Sequence, residues 1–354
     1  MKIFVINPGS TSTKLALYED ENPVWTKNVH HPVEEIAQFR HINEQYEYRK
    51  EFIVKALNEA GIPLAFDAVI ARGGLLKPTP GGVYAVNERM KHDLIHATME
   101  HASNLGALIA DELSAACHCP AYIADPVVVD ERMPEARWTG IPGIERVSIF
   151  HALNSKAVSR RYAASLEKRY EDLNLIVVHL GGGISVSAHR KGRVIDVNNA
   201  LDGDGPFSPE RAGTVPAGQL AELCFSGKYT LREVKKMLSG KGGLNGHLGE
   251  TDMITIAAKA EAGEEPYKSV LDAMMYTIAK EAGARYVALR GQVDAIIVTG
   301  GIAHSKYCVG LLKDWIDCLG PIVLMPGEDE MWALAYNALG ALQGNLELQV
   351  YQPE

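Results

Sequence analysis

The run Asn7-Pro8-Gly9-Ser10-Thr11-Ser12-Thr13-Lys14 places an amide, several hydroxyls, an ammonium and a glycine turn within eight positions. Backbone N–H groups, hydroxyls and a lysine all suit phosphate oxygens. The same composition also suits an exposed polar hairpin loop, and the run alone leaves both readings open. A second stretch, His179-Leu180-Gly181-Gly182-Gly183-Ile184-Ser185, sets a glycine turn between two apolar runs in the same manner. Other groupings carry less. Gly240-Lys241-Gly242-Gly243 lacks both the spacing and the following Ser or Thr of a P-loop. His92 and His96 stand four apart with no third ligand in view, and Cys117-His118-Cys119 is too close-spaced for a zinc knuckle.

The flanking patterns predict what holds these turns. Phe4–Ile6 and Leu15–Tyr18 read as the two strands of a hairpin, with a third strand from Lys27 to Val33. Ile42–Ala60 reads as an amphipathic helix stopped at Gly61, and Asp67–Ala71 as a buried strand running into Arg72-Gly73-Gly74. Asn87 caps a helical region expected to run to Met99, followed by a helix from Leu105 to Ala116 and a strand from Pro120 to Ala124, with Asp125 at its end. The order then repeats. Leu175–Leu180, the glycine turn, Ile184–Ala188 and Gly192–Val197 give three strands, and Ala295–Val298 runs into Thr299-Gly300-Gly301. This is an internal duplication of an α/β unit, with its linker near Gly140–Ser148 and a final helix over Glu330–Leu342. Two such turns facing one another would form a phosphate clamp in a cleft between domains.

A chain of 354 residues is long for one core. A net charge of −9 argues against non-specific nucleic-acid binding and against an anionic membrane surface. Strand pattern begins within two residues of Met1, so no signal peptide is expected. The irregular cysteines read as thiols of a reducing, cytoplasmic protein.

The two turns, with Thr299-Gly300-Gly301-Ile302, resemble in order and spacing the signatures of the acetate and butyrate kinase family. Ala71–Leu76, His101-Ala102-Ser103-Asn104-Leu105-Gly106 and Pro206–Gly213 look closer to butyrate kinases than to acetate kinases. The resemblance implies an actin-like ATPase fold of two ribonuclease-H-like domains, each with a mixed sheet. They would span 1–147, joined by the C-terminal helix 330–354, and 148–329. It implies reversible, magnesium-dependent phosphoryl transfer between ATP and a short-chain carboxylate. It also implies a homodimer or larger assembly.

Carried over position by position, the resemblance puts Asn7 by the metal and the transferred phosphate, with Ser10, Ser12 and Lys14 around that phosphate. Asp125, His151 and Arg211 become catalytic residues, and His101 lies near the substrate. Arg72 stands directly before Gly73, where acetate kinases have a histidine, and Val69 falls where they have an arginine. Arg72 could take that arginine's role by its longer reach. His179, Leu180, Gly181, Gly182 and Gly183 would line the nucleotide phosphates, with Gly182 replacing an asparagine. Asp252, Met253 and Ile254 would form one adenosine-side loop, and Gly300, Gly301, Ile302, Ala303 and His304 another. Glu330 matches a glutamate at the magnesium, with Glu328, two residues earlier, as the other glutamate and Asp329 between them as a third candidate.

The residue types suit the reaction. A carboxylate is already deprotonated at neutral pH, so the obstacle is repulsion between anions, and catalysis rests on positioning and cationic donors. Acetate, propionate or isobutyrate remain alternatives to butyrate, because one methylene discriminates by only about 1–3 kcal/mol. A nucleotide-dependent switch on the same scaffold, or a sugar kinase using Asp125 as base, are the alternatives from other classes.

Overall fold

The computed structural model describes residues 1–97 and 100–353. Its strands are β1 (Lys2–Pro8), β2 (Ser12–Glu19), β3 (Asn22–His30), β4 (Ala68–Arg72), β5 (Val83–Ala85), β6 (Ala121–Ala124), β7 (Asn174–Leu180), β8 (Ile184–Arg190), β9 (Arg193–Val197), β10 (Ala295–Gly300), β11 (Ile322–Pro326) and β12 (Leu348–Gln349). The chain divides into two units. One comprises 1–130, 152–157 and 329–354, and the other 131–151 and 158–328.

In the first unit the sheet order is β12-β5-β6-β4-β1-β2-β3. Both of its faces are buried, and the period-2 alternation of strands shows how. Ile3 and Val5 of β1 pack with Ala333, Leu334 and Ala338 of the helix Glu330–Gln343. Phe4 and Ile6, pointing the other way, pack with Ile53 and Leu57 of the helix Tyr46–Glu59 and with Leu105 and Ile109 of the helix Asn104–Cys117. Burying each such side chain stabilises the fold by about 1.5–3 kcal/mol, which is why the unbroken apolar run Ile3–Ile6 of β1 is tolerated.

The second unit has the order β11-β10-β7-β8-β9. Ile176, Val178 and Leu180 of β7 pack with Met274 and Ile278 of the helix Tyr267–Ala288, while Leu175 and Val177 face Val158 and Tyr170. In both units an antiparallel three-stranded meander is followed by a strand parallel to its first member, β4 beside β1 and β10 beside β7. A second parallel strand comes next, β6 beside β4 and β11 beside β10. The duplication read from the sequence is therefore one of topology.

Several boundaries differ from expectation. The third strand runs over Asn22–His30, not Lys27–Val33: a two-residue turn through Asp20, with φ 53°, pairs Glu19 directly with Asn22. Pro32, which has no N–H, then follows soon after its end. The helix Glu88–Ile95 is capped by Asn87, whose side chain accepts from Met90 N at 2.8 Å, but it ends at Ile95. Met99, its expected end, lies outside the described residues. The strands β5 and β12 are too short to show a pattern, and β11, although its Ile322–Pro326 run is apolar throughout, is a strand the sequence reading did not include. Among the described residues no helix is long and apolar enough to cross a membrane.

Candidate active site

In the first unit, Asn7, Arg72 and Asp125 lie at or just past the carboxyl ends of β1, β4 and β6, three adjacent parallel strands. Ligands of open α/β sheets bind beyond such strand ends. Asn7 is buried and donates through Nδ2 to Glu330 Oε2 at 2.7 Å. Arg72 donates to the same oxygen at 3.1 Å. Glu330 is the first residue of the helix Glu330–Gln343, where a carboxylate is favoured by the helix dipole. Gly106 allows the close approach of that region's backbone: a Cβ there would lie 2.6 Å from Arg72 O.

The turn after β1 is closed by Gly9 N donating to Ser12 O at 2.7 Å. Ser10, Thr11 and Lys14 are exposed and Ser12 is half-buried, so the turn's outer face is open to a ligand. Beneath it lies the buried Arg49, which no pattern of spacing or composition singles out. Asp125 is buried, with a backbone φ of 38° that non-glycine residues seldom adopt. It exchanges two bonds with Gly82, Asp125 Oδ1 accepting from Gly82 N at 2.8 Å and its own N–H donating to Gly82 O at 2.9 Å. His101 Nδ1 accepts from Ser103 N at 3.2 Å. Burial, then the charges of Arg72 and Arg49, hold its pKa below the usual histidine value, so the ring is neutral at physiological pH.

In the second unit, β7 and β8 pair up to Leu180 and Ile184, and Gly181-Gly182-Gly183 forms the turn. His179 is fully buried, and its Nε2 lies 2.9 Å from Glu328 Oε1. The His151 ring stacks on it, with centroids 3.7 Å apart and planes 9° from parallel. His151 Nδ1 lies 3.0 Å from Ser185 Oγ. Ser208, buried and absent from the expected site, joins two loops: its Oγ donates to Gly182 O at 2.6 Å and accepts from Arg211 N at 3.1 Å. Arg211 NH1 contacts Glu210 Oε2 at 3.3 Å, while its buried Nε forms no hydrogen bond among the described residues. Glu210 also approaches Gly182, whose Cβ position would be 3.4 Å from Glu210 Oε2. Gly300 has φ 90° and abuts Leu180, so it locks β10 against the glycine turn. Gly301, Ile302, Ala303 and His304 follow as a short 3-10 turn. Asp252 is the N-cap of the helix Met253–Glu261, accepting from Ile254 N and Thr255 N and from the Thr255 hydroxyl at 2.6 Å. These bonds, the hydroxyl's first, hold its pKa below the usual carboxylate value. Ile254 beside it is 82% exposed, an apolar surface without cover.

The two candidate metal glutamates thus have different surroundings: Glu330 joins Asn7 and Arg72, whereas Glu328 faces His179. Among the described residues no group of three or more His, Cys, Asp or Glu could hold a metal. Magnesium does not need one, since it binds through one or two carboxylates together with phosphate oxygens and waters. Both bonds to Glu330 fall on Oε2, leaving Oε1 for an ion.

Residues 135–320 match the model of a family described as the Acetokinase family. The whole chain is 75% identical over 354 residues to a Phocaeicola vulgatus protein named "Probable butyrate kinase", covering all of both chains. It is 55% identical over 353 residues to a Bacteroides thetaiotaomicron protein of the same name, covering 99% of this chain and all of the other. Among solved structures, acetate kinase of Porphyromonas gingivalis superposes with a TM-score of 0.79 at 18% identity, over 96% of this chain and 99% of the other. A propionate kinase from Francisella tularensis gives 0.73 at 18% identity, over 95% and 98%.

Proposed function

Since the chain belongs to the acetokinase family, we propose that it is a butyrate kinase in which the Asn7–Lys14 turn holds the transferred phosphoryl group and the His179–Gly183 turn the nucleotide. The reaction is ATP-dependent phosphorylation of a short-chain carboxylate. A carboxylate oxygen forms a bond to the γ-phosphorus as the bond to the β–γ bridging oxygen breaks, giving acyl phosphate and ADP.

The observation that carries the assignment of roles is the sharing of Glu330 Oε2 by Asn7 and Arg72, at the strand ends beside an open hydroxyl-rich turn. Asn7 and Glu330 would hold magnesium, which when bound offsets charge on the phosphate oxygens. Lys14 and the Ser10 and Ser12 groups would bind the γ-phosphoryl oxygens. Arg72, held by Glu330, and Arg211 would hold the carboxylate and the transferring group against mutual repulsion. The bonding capacity left at Arg211 Nε suits an incoming anion. His151, kept in place by Ser185 and the His179 ring, would donate to the transferring oxygens. Asp125 would order water rather than take a proton, because the acceptor arrives ionised. The adenosine would lie along Asp252–Ile254 and Gly300–His304. A cytoplasmic location and a homodimer or larger assembly belong to the same reading, through the resemblance.

The test is acyl-phosphate formation, trapped with hydroxylamine, with ATP, magnesium and a series of carboxylates. The highest kcat/KM is expected for butyrate. A preference for acetate, propionate or isobutyrate would replace the substrate, and ATP hydrolysis without acyl phosphate would remove the kinase assignment.

A further inference from the structure

Arg49 is fully buried on the helix Tyr46–Glu59, yet no carboxylate among the described residues pairs with it. Its guanidinium is spent on neutral acceptors. NH1 donates to Gly9 O at 2.9 Å and to Thr13 Oγ1 at 3.3 Å, NH2 donates to Ser10 O at 2.8 Å, and Nε donates to Gln45 Oε1 at 3.0 Å. His31, also buried, closes the far side. Its Nε2 lies 2.8 Å from Thr13 Oγ1, and its backbone N–H donates to Thr11 O at 2.9 Å. Burial and the nearby Arg49 charge push the His31 ring down to about 4, so it adds no second charge at neutral pH.

A buried cation without a counter-ion is costly, and burial accordingly lowers the pKa of Arg49. The cost has a use where the missing anion is a ligand. The two carbonyls that Arg49 draws inward, Gly9 O and Ser10 O, belong to the turn whose outer side is open. Fixing carbonyls on one side of a tight turn aims the neighbouring N–H groups to the other. We propose that Arg49 is a positioning residue for phosphoryl transfer. Its planar fork would set the Gly9–Ser12 turn with the Ser10 and Thr11 N–H groups outward, and its unneutralised charge would raise the turn's affinity for a phosphoryl group. This inference rests on the Asn7–Lys14 turn being the phosphoryl site. Lysine cannot replace the fork, since a single ammonium cannot hold both carbonyls in the same plane.

The experiment compares wild type, Arg49→Lys and Gln45→Leu with Ser12→Ala and Lys14→Ala. Steady-state kinetics in both directions accompany thermal melting, and Gln45→Leu removes only the brace on Nε should Arg49→Lys not fold. Arg49→Lys is expected to lower kcat at least tenfold and raise the KM for acyl phosphate, while the KM for ADP and ATP stays within twofold. Gln45→Leu is expected to lower kcat about threefold in the same pattern. Folded variants with wild-type kcat and acyl-phosphate KM, or a loss seen only as a lower melting temperature, would overturn the role of Arg49. If Ser12→Ala and Lys14→Ala also retain full rate, the fault lies in the turn as phosphoryl site. If they lose rate while the Arg49 and Gln45 variants do not, the turn stands and Arg49 falls.

Discussion

Glu330→Gln separates the two candidate metal glutamates by energetics as well as by rate. The substitution keeps the shape but removes the charge that receives Asn7 Nδ2 at 2.7 Å and Arg72 NH1 at 3.1 Å on one oxygen. The side chains of Arg72 and Glu330 are 22% and 11% exposed, so solvent screening is weak. Changing a charged acceptor to a neutral one loses about 1–1.5 kcal/mol per bond. Losing an acid from the first turn of the helix Glu330–Gln343 adds about 0.3–1 kcal/mol. The sum is about 2–4 kcal/mol. With an unfolding entropy of about 2.1 cal/mol/K per residue, that lowers Tm by about 3–5 °C for a cooperative chain of 354 residues. If Glu330 also holds magnesium, kcat falls about 10²-fold and the magnesium concentration needed for half-maximal rate rises. The assay is acyl-phosphate formation across a magnesium titration beside differential scanning calorimetry. Glu328→Gln, acting at His179, is expected to change the KM for nucleotide and leave the magnesium dependence as it was. An unchanged Tm and magnesium dependence in Glu330→Gln would refute the reasoning, and a magnesium shift in Glu328→Gln alone would exchange the two roles.

Arg211→Ala is expected to keep the fold, because among the described residues its side chain makes its ion pair with the partly exposed Glu210 alone, and to lose about 10²–10³-fold in kcat; normal turnover of butyrate would remove Arg211 from the site. Gly300→Ala would place a Cβ 2.3 Å from Leu180 O at φ 90°. It should cost more than about 2 kcal/mol and raise the nucleotide KM, checked by urea unfolding and kinetics; wild-type behaviour would show that the glycine turn tolerates displacement. His31 gives a pH effect of defined sign. With its pKa at about 4 in the fold and about 6.5 in the unfolded chain, the unfolded state binds more protons between those values. The stability linked to its neutral form is present above about pH 6.5 and is lost as pH falls toward 4, about 2 kcal/mol between pH 7 and pH 5. Urea unfolding at the two pH values should show a smaller difference for His31→Asn than for wild type; equal differences would refute it.

What was legible in the sequence was local structure written in consecutive residues. Asn7–Lys14 and His179–Gly183 could be read because a hairpin turn keeps neighbours in sequence as neighbours in space. The same local logic identified Asn87 as a cap and the two buried strands that run into Gly-Gly. Ser208 and Arg49 were not legible. Ser208 matters because a loop about 25 residues on returns to Gly182, and Arg49 because one helix face lies under a turn 40 residues earlier. No periodicity distinguishes a buried arginine from a solvated one on an amphipathic helix. Three of its four neutral acceptors, Gly9 O, Ser10 O and Thr13 Oγ1, come within reach only once the sheet and helix have packed.

The Glu328 and Glu330 pair shows how topology resolves what spacing leaves open. The two are separated by one residue, and either reading of the sequence satisfies the same motif. The last helix begins at Glu330, and this decides which carboxylate goes with which turn. As the helix's first residue, Glu330 is carried with a helix packed on β1 and β4, and so reaches Asn7 and Arg72 at those strands' ends. Glu328 still belongs to the segment leaving β11, in the sheet that contains β7, and so meets His179. Each glycine or hydroxyl turn is thus supplied with a carboxylate by the element that follows the last strand of the chain's second sheet. Moving the helix start by a single residue would alter both sets of contacts at once. Inserting one alanine between Glu328 and Glu330 should therefore change magnesium dependence and nucleotide KM together, whereas either Gln substitution should change only one of them.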